Sequence, residues 1–139
     1  MLQFRKYWPL AVMFGTVGAA IFILCRFDPA ADAIFPPCPV HYLTGWYCPG
    51  CGSLRALHQL LHGNFRAAWA MNPLTIVLLP FLSYGVASRA LVEIRGRGLP
   101  QVFVRAVWIR ALCAVIILFG ILRNVPAHPF DLLAPGAMR

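Results

Sequence analysis

Three cysteines and one histidine fall inside the fourteen-residue stretch "CPVHYLTGWYCPGC", at Cys38, His41, Cys48 and Cys51. Residues of these types at this spacing can do three different things. Cys38-x-x-His41 and Cys48-x-x-Cys51 offer three thiols and an imidazole in two close pairs, a donor set that suits tetrahedral zinc. His58 or His62 could replace His41 as the fourth ligand. Only six residues separate the two pairs, shorter than the usual spacing in zinc fingers. Alternatively, Cys48 and Cys51 open a helix-forming run, and a helix N-terminus stabilises a thiolate, as in thiol–disulfide exchange. Cys38 would then serve as the resolving thiol. The plainest reading is a staple from Cys38 to Cys48 or Cys51, closing a loop of ten or thirteen residues. Such a bond constrains the unfolded loop by roughly 2–4 kcal/mol. A staple leaves one cysteine over, whereas a metal site or a relay uses all three.

Little else in the chain can carry chemistry. Its four acidic residues leave scant material for carboxylate acid–base catalysis. It has no glycine-rich phosphate loop and no Ser-His-Asp pattern. Cys25 and Cys113, at the end of one apolar run and inside another, read as small apolar fillers. Single histidines more often bond backbone or lipid headgroups at an interface than bind metal. Trp46, Tyr47, Trp69 and Trp108 fit an aromatic belt at a membrane surface. Asp131 could pair with Arg55 or Arg123, or face water.

The elements that must position these cysteines belong to a membrane. Hydrophobic residues make up 60 % of the 139 residues, charged ones 12 %, and mean hydropathy is +0.73. Soluble domains are nearer half apolar and a quarter charged. The formal charge of +8 would point a soluble chain toward nucleic acid. Here the arginines lie between long apolar runs, so lipid headgroups and membrane topology explain them, and nucleic acid is excluded as a partner. The expectation is a single all-α integral membrane domain over 1–139. Its three transmembrane helices cover about 7–25, 73–91 and 106–122, lengths compatible with a core crossed by roughly 20 residues. Pro80 and Gly85 predict a kink in the second. Arg5 and Lys6 ahead of an apolar run, with "ADA" at 31–33, imitate a signal peptide. The apolar core is longer than a signal core, and an uncleaved span is expected.

Positive charge sets the orientation. Arg89, Arg95, Arg97, Arg105 and Arg110 gather around the 92–105 loop, and Arg5 and Lys6 precede the first span. Those ends are expected in the cytoplasm. The first loop, 26–72, and the tail, 123–139, then face outside. There an oxidising compartment favours pairing of neighbouring cysteines.

Within the first loop, "SLRALHQLLHG" places Leu54, Leu57 and Leu61 on one helical face and Arg55, His58 and His62 on the other. Gly63 reads as its stop. Asn64 is the expected N-cap of a short amphipathic helix ending at Met71, and Asn72 caps the second span ahead of Pro73. Both short helices are expected at the membrane interface, in contact with lipid. Arg123 and Asn124 end the third span. They could bond the last carbonyls of their own helix, or cap the cysteine loop from across the bundle.

Taken together, Cys38-Pro39, Thr44-Gly45, Cys48-Pro49-Gly50-Cys51-Gly52, Arg55-Ala56 and Leu60-Leu61-His62-Gly63 resemble a family of small bacterial membrane proteins, a domain of unknown function. Asn72-Pro73 and Arg123-Asn124 also look like family positions. The resemblance implies a place in the bacterial cytoplasmic membrane and marks these residues, but brings no activity. Family members vary at the position of His41.

Two functions follow as expectations. One is a non-enzymatic accessory or assembly subunit of a larger membrane complex, with the cysteine loop as a rigid knob held by zinc or a disulfide. Small residues Gly15, Gly18, Ala19 and Ala20 on the first span would admit a partner helix. The alternative is a membrane thiol oxidoreductase or metal-handling protein working through Cys48 and Cys51.

Overall fold

Long apolar runs without competing turn residues satisfy their own backbone groups by coiling, and this chain does little else. The computed structural model describes residues 2–32, 34–100 and 106–135, and it leaves the side chains of 2–7 and of Asp131 undescribed. The order is α1 (Leu2–Arg26), α2 (Pro39–Thr44), α3 (Ser53–Leu61), α4 (Phe65–Met71), α5 (Pro73–Arg95), α6 (Ala106–Leu122) and a 3₁₀ turn (Phe130–Leu133). Among the described residues there is no strand.

Two helices are long and apolar enough to cross a membrane, over Trp8–Arg26 and Pro73–Arg95. The core helix of a soluble protein would be mostly buried, yet these bury only 6 % and 11 % of their apolar windows. The whole chain exposes 10512 Å². A soluble monomer of 15.4 kDa would expose ~7,200 Å². The excess is apolar, with Phe22 at 64 % and Phe81 at 72 % exposed. The apolar α6 spans 17 residues and buries none of them. Its bounds coincide with the expected 106–122 segment. α5 runs four residues past the expected end, to Arg95, and Gly96 closes it in a left-handed turn. Pro80 is carried inside that helix. Part of the basic loop (101–105) and the end of the tail (136–139) lie outside the described residues.

The helices of the first loop turn small residues toward each other. α3 and α4 form a hairpin turned at Gly63, whose φ is +78°. Small side chains line its inner side, with Ala56 and Ala68 fully buried. Leu54 and Leu61, two of the three leucines on the face expected toward lipid, stand 45 % and 43 % exposed, and Leu57 is half-buried. Alanine lets two helices approach closely, so the leucines are left to face outward. Asn64 is not a side-chain cap; its amide donates to Gln59 Oε1 at 3.0 Å. Asn72 does cap α5, accepting from the Thr75 amide at 3.1 Å. Cys25 and Cys113, expected as fillers, are both exposed, because the helices that carry them bury almost nothing.

Candidate functional site

The site is built on one short helix that the sequence reading missed. Cys38 stands just ahead of α2, which starts on Pro39 and ends where Gly45 adopts φ +75°. Proline in the first turn and glycine at the stop are its local signals. A short irregular stretch leads to Cys48-Pro49-Gly50-Cys51, a turn closed by the Cys51 amide on the Cys48 carbonyl at 3.0 Å. Gly52 then takes φ +83° to start α3. A side chain is impossible there without movement, since a Cβ would lie 2.7 Å from the Met71 carbonyl oxygen.

This path brings the three sulfurs together. Cys48 Sγ lies 3.4 Å from Cys38 Sγ and 3.3 Å from Cys51 Sγ. All three fall within 4.8 Å of one another, a group that could hold a metal ion. They are free thiols, with Cys51 buried and the other two half-buried.

Three polar side chains from beyond the turn hold its backbone. Arg123, only 2 % exposed, donates through Nη1 to the carbonyls of Cys48 (3.0 Å), Cys51 (3.2 Å) and Pro49 (3.4 Å). Asn72 is fully buried and donates to the carbonyls of Pro49 (2.9 Å) and Cys51 (3.2 Å) and to Ser53 Oγ (3.1 Å). Asn124 takes the Tyr47 amide on Oδ1 at 2.7 Å and donates to the Tyr47 carbonyl at 2.9 Å. Its amide also reaches the Gly120 carbonyl of its own helix at 2.6 Å. Both roles open to the Arg123-Asn124 pair at the end of α6 are therefore filled at once. Gly120 completes the seat, because a Cβ there would come 2.8 Å from Pro49 Cγ.

Residues 38–86 match the family described as a protein of unknown function (DUF2752). No curated protein and no solved structure matches the chain. The DUF2752 segment contains all three sulfurs and Asn72, and stops before Arg123 and Asn124. Two of the three clamping side chains thus come from outside it. Within the segment, Thr44 bonds the Val40 carbonyl at 2.6 Å and accepts the Trp46 amide at 3.2 Å, tying off α2. Arg55 is exposed, and Asp131, weighed as its partner or that of Arg123, lies outside the described side chains.

The histidines stand outside the sulfur group, each donating Nδ1 to a backbone carbonyl. His41 bonds Gly45 at 3.1 Å and stacks on Tyr47 with centroids 4.4 Å apart. His58 reaches the Leu24 carbonyl at 2.6 Å, fastening α3 to the end of α1. His62 bonds the His58 carbonyl at 2.8 Å. Among the described residues, no histidine nitrogen joins the three thiols as a fourth ligand.

The thiols of the DUF2752 turn differ in acidity. The His41 amide, hydrogen-bonded to Cys38, is the main cause that lowers its pKa to about 7, and the neighbouring sulfurs add to it. Burial pushes Cys51 up to about 12, and its contact with Cys48 acts in the same direction. Burial also draws the Arg123 pKa down, opposed by the nearby Cys51 and Cys48. Among the described residues, Arg123 Nε and Nη2 are buried with no hydrogen-bond partner. A buried guanidinium so placed is costly unless negative charge lies near it.

Proposed function

We propose that the chain is a non-enzymatic accessory or assembly subunit of a larger membrane complex, presenting the Cys38–Cys51 turn as a rigid docking knob. One observation carries this reading: the backbone from Tyr47 to Cys51 is bonded by Asn72, Arg123 and Asn124, drawn from the starts and ends of two long helices. A turn fixed at so many points is a shape rather than a hinge. The open face of α1 supports it, since nothing approaches within 4 Å of a Cβ built at Gly15 or Gly18. Close helix association in lipid uses such small residues.

In this reading α6 is a third span, extended across the bilayer by some tilt of its neighbours or local thinning. The arginine-rich loop lies in the cytoplasm of a bacterial cell, and the turn and tail lie outside. A reporter fused after Arg139 should then be active only outside the cell. Replacing Cys48 and Cys51 by Ser should lower the abundance of the assembled complex on native gels. Unchanged assembly would sink the docking role.

The sulfur geometry supports a second reading, thiol–disulfide exchange. Cys48 touches both other sulfurs, which suits Cys48 and Cys51 as the working pair with Cys38 in reach as a further resolving thiol. Under exchange, Cys51→Ser alone would trap a mixed disulfide with the substrate, and the folded protein would lose turnover instead of abundance.

A further inference from the structure

We infer that Cys38, Cys48 and Cys51 are the three thiolate ligands of a zinc ion, and that Arg123 is the buried counter-charge of that site. The inference deepens the docking reading, resting on the turn being the working part of the chain.

Distance comes first. Thiolates around tetrahedral zinc, with Zn–S bonds of about 2.3 Å, lie about 3.8 Å apart. The contacts at 3.4 Å and 3.3 Å need to open by only a few tenths of an ångström, and the third pair, within 4.8 Å, to close by at most about an ångström, to admit the ion. A disulfide needs sulfurs at about 2.05 Å, so one pair would have to close by more than an ångström within a turn bonded on all sides. It would also use two sulfurs and strand the third.

Charge then separates the alternatives. Three protonated thiols are neutral, and so is a disulfide beside one protonated thiol. Either leaves Arg123, buried and with two of its nitrogens unpartnered, without an opposing charge. Three thiolates around a divalent ion carry one net negative charge. Arg123 Nη1 bonds the carbonyls of both Cys48 and Cys51, so its positive charge sits directly behind two of the ligands. The site and its arginine then sum to zero. Binding releases to solvent the proton of each thiol that is still protonated. His41, His58 and His62 use only Nδ1 on backbone carbonyls, but none lies within the sulfur group, so solvent or a group from the docked partner supplies the fourth ligand.

The test uses the full chain purified in detergent without added metal. Elemental analysis should find one zinc per chain, and chelation should free three thiols for alkylation. Cobalt(II) exchanged into the site should give a thiolate-to-metal charge-transfer band that each of Cys38→Ser, Cys48→Ser and Cys51→Ser abolishes or weakens. Arg123→Gln should weaken zinc binding about 10–100-fold, the range for a residue that supports ligands without touching the ion. Arg123→Lys, which keeps the charge, should stay near wild type. Should Arg123→Gln fail to accumulate, the Lys variant alone decides: retained affinity supports the charge role, and a loss beyond tenfold overturns it. Two oxidised thiols with no metal, or equal zinc affinity in wild type and Arg123→Gln, would overturn the inference. Zinc present without a co-purifying partner would instead defeat only the docking role, and a partner without zinc only the metal site.

Discussion

The turn at residues 47–52 and helix α6 are bonded neighbours built on opposite rules. In the turn, the Tyr47, Cys48, Pro49 and Cys51 carbonyls each meet a side-chain donor. α6 buries no residue along Ala106–Leu122 and offers Trp108 and Ile117 outward, at 64 % and 61 % exposed. The polar part is inside and the apolar part outside. Water would reverse that order, while a lipid solvent rewards it, because a buried backbone carbonyl must be paired wherever no water can reach it. The apolar residues buried among those described are Leu10, Leu24, Cys51 and four alanines. That is too little to act as a conventional core. Directed hydrogen bonds at the turn, more than apolar burial, fix how these helices sit.

The contrast can be attacked from several sides. The largest difference is expected inside the turn, between two of its sulfurs. In reduced, chelator-treated protein, the Cys38 thiolate forms as pH rises through about 7, so alkylation there should climb about tenfold per unit below that point and level off above it. Cys51, held near 12 by burial, should stay unreactive until the fold opens, as peptide mapping after labelling would record. Equal labelling of the two would mean that the turn is not packed as described.

Next in size is Asn72→Leu. It removes one of two donors from the Pro49 and Cys51 carbonyls, which keep only Arg123, and strands the Thr75 amide, a buried group left unpaired costing about 1–3 kcal/mol. Thermal unfolding in detergent should show a large drop or no folded protein. Gly52→Ala should cost about 1–3 kcal/mol by overpacking against the Met71 carbonyl, and the left-handed φ adds strain. His58→Ala removes a single bond from α3 to the Leu24 carbonyl and should cost about 1 kcal/mol. On the other side of the comparison, Ile117→Val should move stability by no more than about 0.5 kcal/mol, as an exposed substitution does. A large loss there would show α6 packing against something this chain does not supply.

The sequence made the helices legible where one physical signal acted alone. Apolar length marked the long helices, and the Asn72-Pro73 pair marked the start of α5 to the residue. Signals that depend on partners were harder to read. Leucines at helical spacing in α3 marked a greasy face, but nothing marked Ala56 as the packing point, because a small residue gains close contact only once its neighbour is known. The short α2 was hidden among cysteines and aromatics, although its proline start and glycine stop were visible. The three cysteines could be picked out from spacing. Their order of contact, with Cys48 in the middle, could not, since it depends on α2 turning the chain back. Gly120 gave no signal either; its meaning comes from Pro49, seventy-one positions away in the chain.

Arg123 reaches Cys48 across 75 positions of sequence. A ribosome therefore releases the sulfurs long before their clamp exists. Until the end of α6 is made, the three sulfurs have neither Arg123 nor Asn124 to hold their turn. A chain cut short at Leu122 would keep Asn72 alone of the three clamps and leave the turn slack.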